Sequence, residues 1–350
     1  MRYLVVSTFP PKHCGIGAYA EQSVAQLRAQ GHLVDIVSPD QEGNVDFAWD
    51  LRGGSKILRL LELAPYYDRI VIQYHWAFYY LNPFEAESRR DSLKTTLSFL
   101  WFFLRCRKVE VVAHEIPYLD GKQRRLYGWK WKLAPRLVLH TQPERERFEQ
   151  HYGLKLNDSR LEYRKHDEVY QKFVAHSQSE ARQLLRLSAE RAIFLCIGFI
   201  QRHKGFHRAI QAFERARLAN AELYIVGSLR LVDQETQSYL AELYSLAARQ
   251  SRVHIVESFV SNEEFDTWVT ACDWVVLPYS EIWSSAVLGR ARLLHRPAIV
   301  SAVGGLPDQA GETDLLFTSD EELVSALRKA ASMRHPARLK SSDPVPAPLS

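Results

Sequence analysis

The sequence predicts an α/β protein with two doubly wound domains. Short, continuous apolar runs rich in Val and Ile, such as residues 4–7 and 34–37, alternate with segments of helical periodicity. Such runs suit the strands of a parallel sheet, because crossover helices bury both faces of that sheet. The alternation becomes polar from about 157 to 191 and then resumes. This change predicts a connection between two domains.

The first half follows the alternation in order. Residues 4–7 predict a strand, and Ala20, Val24 and Leu27 predict a helix that Gly31 ends. Further strands are predicted at 34–37, 70–72, 109–113 and 137–139. We expect an N-terminal domain over residues 1–170, in keeping with a length of 350 residues.

The second half repeats the pattern. Strands are predicted at 193–197, 223–226, 254–256, 274–277 and 298–300, with amphipathic helices between them. The last helix is predicted to begin with a capping box formed by Ser319 and Glu322. We expect a C-terminal domain over residues 171–335 and a disordered tail over 336–350, which is rich in Pro and Ser.

Composition narrows the class of protein. Hydrophobic residues make up 46% and charged residues 25%, as in a globular protein, and the net charge of +4 is too small for a dedicated nucleic-acid binder. Four cysteines lie far apart without a C-x-x-C pair, which predicts reduced thiols, a cytoplasmic location and no zinc site. The N-terminal apolar run is too short for a signal peptide, and no run approaches the ~20 residues of a membrane span.

Two turns are suited to binding phosphate. Gly15, Ile16 and Gly17 follow the first strand and open a helix, so that backbone amides and the helix dipole face an anion. Ser284 and Ser285 open a later helix in the same way. A plain tight turn and a plain serine N-cap are the alternative interpretations. The first turn is not G-x-G-x-x-G, and no acidic residue follows at the usual spacing, which disfavours an NAD-binding domain.

Cations and histidines stand at predicted strand ends. Lys204, with Arg202 beside it, precedes Gly205 and a helix, where it could neutralise a diphosphate leaving group; a solvated basic turn is the alternative. His114 and His75 each end an apolar strand, where α/β folds place ligands, although such histidines are often structural. His203 and His207 have helical spacing but no third ligand in sequence, so no metal site is predicted.

Two basic and aromatic stretches are typical of a helix at an anionic membrane surface. They run over residues 98–108 (SFLWFFLRCRK) and from Arg124 to Lys132 (RRLYGWKWK). For the first stretch the alternative is that residues 99–104 form core beneath the next strand. We therefore expect peripheral membrane contact at the second stretch, with Lys130 and Lys132 on the surface.

The chain resembles the retaining family 4 glycosyltransferases of GT-B fold over residues 1–331. The resemblance is carried by PPKHCGIGAYAEQ, by the GF-x(4)-KG-x(4)-I-x-AF pattern around Lys204, and by the run from LPYSEIW to VGGLP. It implies two Rossmann-like domains that face a cleft. It places Gly15, Ile16, Gly17, Arg202, Lys204, Ser284 and Ser285 at the donor diphosphate, Glu281 beside the donor sugar, and His75 and His114 on the acceptor side.

Two positions depart from the family pattern. Phe199 stands where an arginine is usual, and Gly289 stands where a second glutamate binds the ribose. The expected function remains transfer of a sugar, with retention, from a nucleoside-diphosphate sugar to an acceptor hydroxyl. We expect no metal and no permanently bound cofactor, and a cytoplasmic enzyme that is peripheral to the inner membrane face. The alternatives are a catalytically silent partner subunit and a GT-B nucleotide-sugar epimerase; a phosphorylase and a dinucleotide-binding oxidoreductase are less favoured.

Overall fold

Two compact units make up the chain. In the computed structural model, residues 1–12, 14–39, 43–81, 89–115, 121–229 and 233–333 are described. The first unit comprises Met1–Gln171 with Trp283–Gly289, and the second comprises Lys172–Ile282 with the described residues from Arg290 onward. The predicted tail, residues 336–350, lies outside the described residues.

The first unit contains a seven-stranded parallel sheet in the order β3-β2-β1-β4-β5-β6-β7. Its strands are β1 Arg2–Val6, β2 Leu33–Ser38, β3 Phe47–Ala48, β4 Arg69–His75, β5 Val109–Glu115, β6 Arg136–Leu139 and β7 Leu161–Tyr163. Its main helices are α1 Gly15–Ala29, α2 Leu60–Leu63, α3 Arg89–Arg105, α4 Gly121–Leu133 and α5 Gln142–Tyr152.

The second unit contains a six-stranded parallel sheet in the order β10-β9-β8-β11-β12-β13. Its strands are β8 Ala192–Ile197, β9 Ala221–Gly227, β10 Val253–Glu257, β11 Trp274–Leu277, β12 Ala298–Ser301 and β13 Leu315–Phe317. The helices from α6 on are α6 Gln178–Leu184, α7 Phe206–Ala216, α8 Gln234–Ala247, α9 Asn262–Ala271, α10 Ala286–Leu293, α11 Leu306–Gln309 and α12 Asp320–Ser332.

Each sheet forms the centre of a hydrophobic core. The central strands are almost entirely buried, as Val5, Ile70 and Val111 show in the first sheet and Leu195 and Val276 in the second. This burial on both faces is what the continuous Val- and Ile-rich runs predict. The predicted fold class, two doubly wound α/β domains, is therefore confirmed.

Some details differ from the sequence prediction. Strand β7 lies within the polar stretch 157–191, where the sequence predicts a connection near residues 169–178 but no strand. It is a short, half-exposed edge strand with the charged residue Glu162 at its centre. Ser319 caps α12 as predicted by accepting from the Glu322 amide. The Glu322 carboxylate does not complete the box on Ser319, because it accepts instead from the backbone and hydroxyl of Thr318.

Candidate functional site

Lys204 and Glu281 follow adjacent strands at the switch point of the second sheet. Lys204 follows β8 and Glu281 follows β11, and the order of strands reverses between these two. In doubly wound sheets ligands bind beyond the carboxyl ends of the strands at this point. The two loops are joined directly, since the amide of Ser280 donates to the carbonyl oxygen of His203 over 2.8 Å. The fold thus brings together two predicted site residues that are 77 positions apart in sequence.

Gly205 makes the close contact between these loops possible. Its φ of +64° lies in the left-handed region, and a Cβ at this position would come 2.1 Å from the carbonyl oxygen of Pro278. Both constraints require glycine. Arg208, in the first turn of α7, donates to the same Pro278 oxygen over 2.9 Å and pairs with Asp320. The turn that carries Lys204 is therefore held against the loop that carries Glu281.

The cations of the turn have different surroundings. The Lys204 ammonium lies 5.9 Å from the centroid of the Tyr279 ring. Tyr279 belongs to the loop that leads to Glu281, and the Glu281 side chain is exposed. The Arg202 guanidinium pairs with Glu242 of α8 over 2.7 Å and lies 4.6 Å from the centroid of the Tyr239 ring. Of these two cations, Arg202 is thus held on α8, whereas Lys204 lies beside the β11 loop.

Phe199, which stands where the resembled family usually has an arginine, belongs to an aromatic pair. Phe199, just after β8, packs against Phe259, which follows β10, with ring centroids 6.3 Å apart. Gly289, the position of the missing glutamate, is a buried helical residue of α10. Its neighbour Arg290 is buried and paired with Asp266 and Asn262, so it has a structural role. At the two positions that depart from the family pattern, Phe199 thus presents an aromatic ring and Gly289 has no side chain.

Ser284 and Ser285 lie in the segment Trp283–Gly289, which belongs to the first unit. Ser285 is buried, and its hydroxyl accepts from the amide of Leu288, the usual contact of an N-cap. The capping interpretation therefore accounts for the Ser285 hydroxyl. A role of this turn in phosphate binding depends on the backbone amides and on Ser284.

In the first unit α1 begins at Gly15, directly after the loop that follows β1. The N-cap residue, Cys14, has an extended backbone, and its side chain makes no capping hydrogen bond. The Cys14 side chain therefore does not satisfy the backbone amides of the first turn. Gly17 packs against Thr8, whose carbonyl oxygen would lie 3.2 Å from an added Cβ, while a Cβ on Gly15 would meet nothing within 4 Å. Gly17 therefore allows close packing against Thr8, whereas the Cβ position of Gly15 is open.

Three histidines follow neighbouring strands of the first sheet. His75 ends β4, His114 lies near the end of β5, and His140 follows β6. The rings of His114 and His140 are 5.4 Å apart, and Tyr19 of α1 packs edge-on against both. His75 accepts from the amide of Ala77 through Nδ1 and so caps a short turn. The two predicted residues His75 and His114 therefore lie at neighbouring strand ends, with His140 beside His114.

His114 is held in the neutral state. Its Nε2 lies 2.7 Å from Oε1 of Gln73, a fully buried residue of β4. Burial lowers the pKa of His114 well below its usual value, and the positive charges that His140 and His75 can carry lower it further. With Nε2 donating to Gln73, Nδ1 is the ring atom able to accept a hydrogen bond.

Sequence reasoning missed Gln73, His140 and Tyr19. Gln73 is a polar residue inside an otherwise apolar strand run, and His140 directly follows the predicted strand 137–139. The strand-end argument that selected His114 applies equally to His140. Tyr19 had no comparable signal, because an aromatic residue on an amphipathic helix is ordinary core.

The predicted membrane surface from Arg124 to Lys132 is wrong at Lys130. This side chain is only 1% exposed, and its ammonium donates to the Tyr80 hydroxyl over 2.9 Å and to the Tyr127 carbonyl. Aromatic rings of Tyr74, Tyr80 and Trp131 surround it, and burial lowers its pKa well below the usual value. Lys130 lies on the buried face of helix α4, whereas Trp129 and Lys132 are exposed.

The described residues contain neither a metal-binding cluster nor a membrane-spanning helix. Within the described ranges, no group of three or more His, Cys, Asp or Glu side chains is placed to hold a metal ion. No helix in the same part of the chain is long and apolar enough to cross a membrane. All four cysteines are buried free thiols.

Comparison with known proteins identifies the fold. Residues 191–332 match the family model described as glycosyl transferases group 1. No curated protein sequence matches the chain significantly. Among solved structures, Anabaena Alr3699/HepE in complex with UDP-glucose is 15% identical, with 95% of this chain and 90% of that chain covered and a TM-score of 0.68.

Two further structures are similar. Sucrose-phosphate synthase from Thermosynechococcus elongatus is 16% identical over 94% of this chain and 89% of that chain, with a TM-score of 0.67. WaaG, a glycosyltransferase involved in lipopolysaccharide biosynthesis, is 19% identical over 97% of this chain and 96% of that chain, with a TM-score of 0.63. The chain therefore has the GT-B fold of glycosyltransferases, and the family model covers most of the unit that contains Lys204 and Glu281.

Proposed function

We propose that this protein is a retaining glycosyltransferase that transfers a sugar from a nucleoside-diphosphate sugar to the hydroxyl of a glycan, a lipid-linked acceptor or a small molecule. The observation that carries the proposal is the joining of the Lys204 and Glu281 loops at the switch point of the second sheet. The matched family model and structures with bound UDP-glucose support the nucleotide-sugar donor. The buried thiols suit a reducing compartment such as the cytoplasm.

The donor side stabilises the leaving diphosphate. Lys204 supplies a positive charge, and the amides at Gly15–Gly17 and at Ser284–Ser285 supply further donors. Transfer forms the bond between the acceptor oxygen and the anomeric carbon and breaks the bond from that carbon to the diphosphate oxygen. The acceptor proton passes to this phosphate oxygen on the same face of the sugar, which gives retention without a dedicated base.

The sugar itself is oriented by neutral and anionic groups. Glu281 is exposed on its loop and accepts hydrogen bonds from donor-sugar hydroxyls. His114 contacts the reacting sugar from the acceptor side as a neutral imidazole, with its ring oriented by Gln73. A neutral ring adds no positive charge next to the oxocarbenium-like transition state.

A second candidate function is a catalytically silent partner subunit. Phe199 and Gly289 favour it, because two groups that contact the donor in the resembled family are absent. Under this proposal the fold is retained for assembly with an active partner, and the purified chain neither binds nor consumes a donor.

Isothermal titration calorimetry with UDP, GDP, ADP and dTDP separates the two proposals. We expect selective binding of one nucleotide that Lys204→Ala abolishes and that Lys329→Ala, on the exposed face of α12, leaves unchanged. Transfer assays with the selected donor sugar should then show a loss on the order of 3 kcal/mol in kcat/KM for Lys204→Ala. Binding of none of the four favours the silent subunit. Conversion of the donor without an acceptor alcohol would indicate an epimerase instead.

A further inference from the structure

Helix α3 exposes an apolar stripe on its outer face. Leu93, Leu97, Trp101 and Leu104 are 38%, 50%, 48% and 49% exposed. Their spacing of four, four and three residues places them on one side of the helix, over a length of about 16 Å. The earlier alternative for residues 99–104, that they form core, holds only for the opposite face.

The inner face of the same helix is fully packed. Phe99, Phe102 and Phe103 are completely buried in the core of the first unit, together with Thr95 and Thr96. The helix is therefore apolar on both sides, although one face is enough to anchor it. A surface helix normally carries polar residues on its outer face, so the outer stripe calls for a partner.

The charges around the stripe are positive. Arg90 and Lys94 lie near its N-terminal end and Arg105 at its C-terminal end, and all three are exposed. The guanidinium of Arg105 lies 4.6 Å from the centroid of the Trp101 ring, so the tryptophan and the cation form one surface feature. Asp91 is the acidic residue of α3, and its carboxylate lies beside Gly53 and Gly54.

The neighbouring helix extends this surface composition. Helix α4 packs against α3 and carries Trp129, which is 52% exposed, and Lys132. Tryptophan, leucine and cations together are the composition of segments that insert at the interface of a bilayer with anionic lipids. Three of the four apolar residues on the stripe are leucines, a residue type that is under-represented among the hot spots of protein–protein interfaces, so the composition favours a lipid surface over a protein partner.

We infer that the outer face of α3, defined by Arg90, Leu93, Lys94, Leu97, Trp101, Leu104 and Arg105, docks on an anionic lipid surface. The leucines and Trp101 enter the boundary between headgroups and acyl chains, and the cations pair with lipid phosphates. The inference does not depend on the proposed transferase activity. It places the contact on α3 and excludes Lys130, which is buried.

The test is partition of the whole protein onto vesicles. Sedimentation with vesicles of phosphatidylcholine containing about 30% phosphatidylglycerol should carry down the wild type, while phosphatidylcholine vesicles should not. Leu97→Ser should reduce partition about tenfold, the scale of one lost apolar side chain. The matched control is Leu184→Ser, which replaces an exposed leucine of the second unit. The charge reversals Arg90→Glu and Lys94→Glu should weaken binding to the anionic vesicles. They should also make that binding less sensitive to salt concentration.

A label provides a second readout. Because the four native cysteines are buried, Leu97→Cys can be labelled selectively with an environment-sensitive fluorophore, and Leu184→Cys likewise. We expect a blue shift on anionic vesicles at position 97 and none at 184. Equal partition of wild type, Leu97→Ser and the charge reversals would overturn the inference. So would self-association in sedimentation velocity that Leu97→Ser abolishes, since the stripe would then be an interface between two copies.

Discussion

At the residue scale, His114 shows how a buried neighbour sets the state of a candidate site residue. Gln73 contacts Nε2 without adding charge, and burial keeps the imidazole neutral. The pKa of His114 therefore lies below that of an unfolded chain, whose histidines titrate near ~6.5. On acidification through that pH the unfolded state takes up the proton first. His114 thus lowers the free energy of unfolding at acid pH.

Replacing Gln73 tests this arrangement. Gln73→Glu places a carboxylate beside Nε2, so we expect the pKa of His114 to rise, whereas Gln73→Leu should leave it low. Histidine chemical shifts followed by NMR against pH, assigned with His114→Asn, measure the pKa without reference to activity. If the proposed role of His114 holds, Gln73→Glu also shifts the pH profile of kcat/KM. A wild-type His114 that is already protonated at pH 7 would contradict the account.

At the element scale, the junction between the β8 and β11 loops depends on Gly205. Gly205→Ala combines a left-handed φ with an approach to Pro278, so we expect a loss of about 2 kcal/mol or more in the free energy of unfolding. We also expect weaker nucleotide binding, because the Lys204 turn must move. Gly311→Ala is the control, since its added Cβ would lie an ordinary 3.7 Å from Asp314. Urea unfolding of both variants measures the difference; equal stabilities would show that the loops are not tightly joined.

Helix α4 carries a buried amine at Lys130, and its burial has a measurable cost. Lys130→Met keeps the volume and leaves the Tyr80 hydroxyl paired with Thr96, so we expect stabilisation on the order of 1–3 kcal/mol at pH 7. The lowered pKa means that the unfolded chain binds the proton more readily. The stability of the wild type should therefore rise relative to that of Lys130→Met as the pH approaches ~10.4, the ordinary pKa of lysine. If the free energies of unfolding of the wild type and of Lys130→Met change in parallel with pH, the lowered pKa of Lys130 is contradicted.

At the scale of the whole molecule, each compact unit has its own sheet and core, and Lys204 and Glu281 both lie in the second. The nucleotide selected by calorimetry, at 100 times its Kd, should stabilise the native state by about 2.7 kcal/mol. Differential scanning calorimetry should show this as a rise in Tm of about 5–10 °C. Lys329→Ala should keep the shift and Lys204→Ala should lose it. A shift that survives in Lys204→Ala would place the nucleotide away from this lysine.

Most strands of both sheets could be predicted because their apolar runs are continuous. The exceptions have a physical cause. Strand β7 is an edge strand of three residues with a charged centre, β3 has only two residues, and β13 is an edge strand of three residues beyond β12, the last strand that the sequence predicts. The composition of residues 98–108 left two interpretations open, a helix at a membrane surface or core, whereas the structure shows that α3 has one buried apolar face and one exposed apolar face. The position of Lys130 was misjudged because its sequence neighbours are basic, while its helical face points to the core.

Sequence alone was enough to identify two α/β domains, the Lys204–Gly205 turn and the strand-end residues His75 and His114, because each of these depends on local periodicity or on a short motif. Tertiary structure decided which of them meet. The pairing of β8 with β11 brings Lys204 and Glu281 together, and the pairing of β4 with β5 brings Gln73 to His114. These contacts join residues about 40 to 80 positions apart. Local pattern specifies the face on which a side chain lies, but only the packed sheet determines its neighbour.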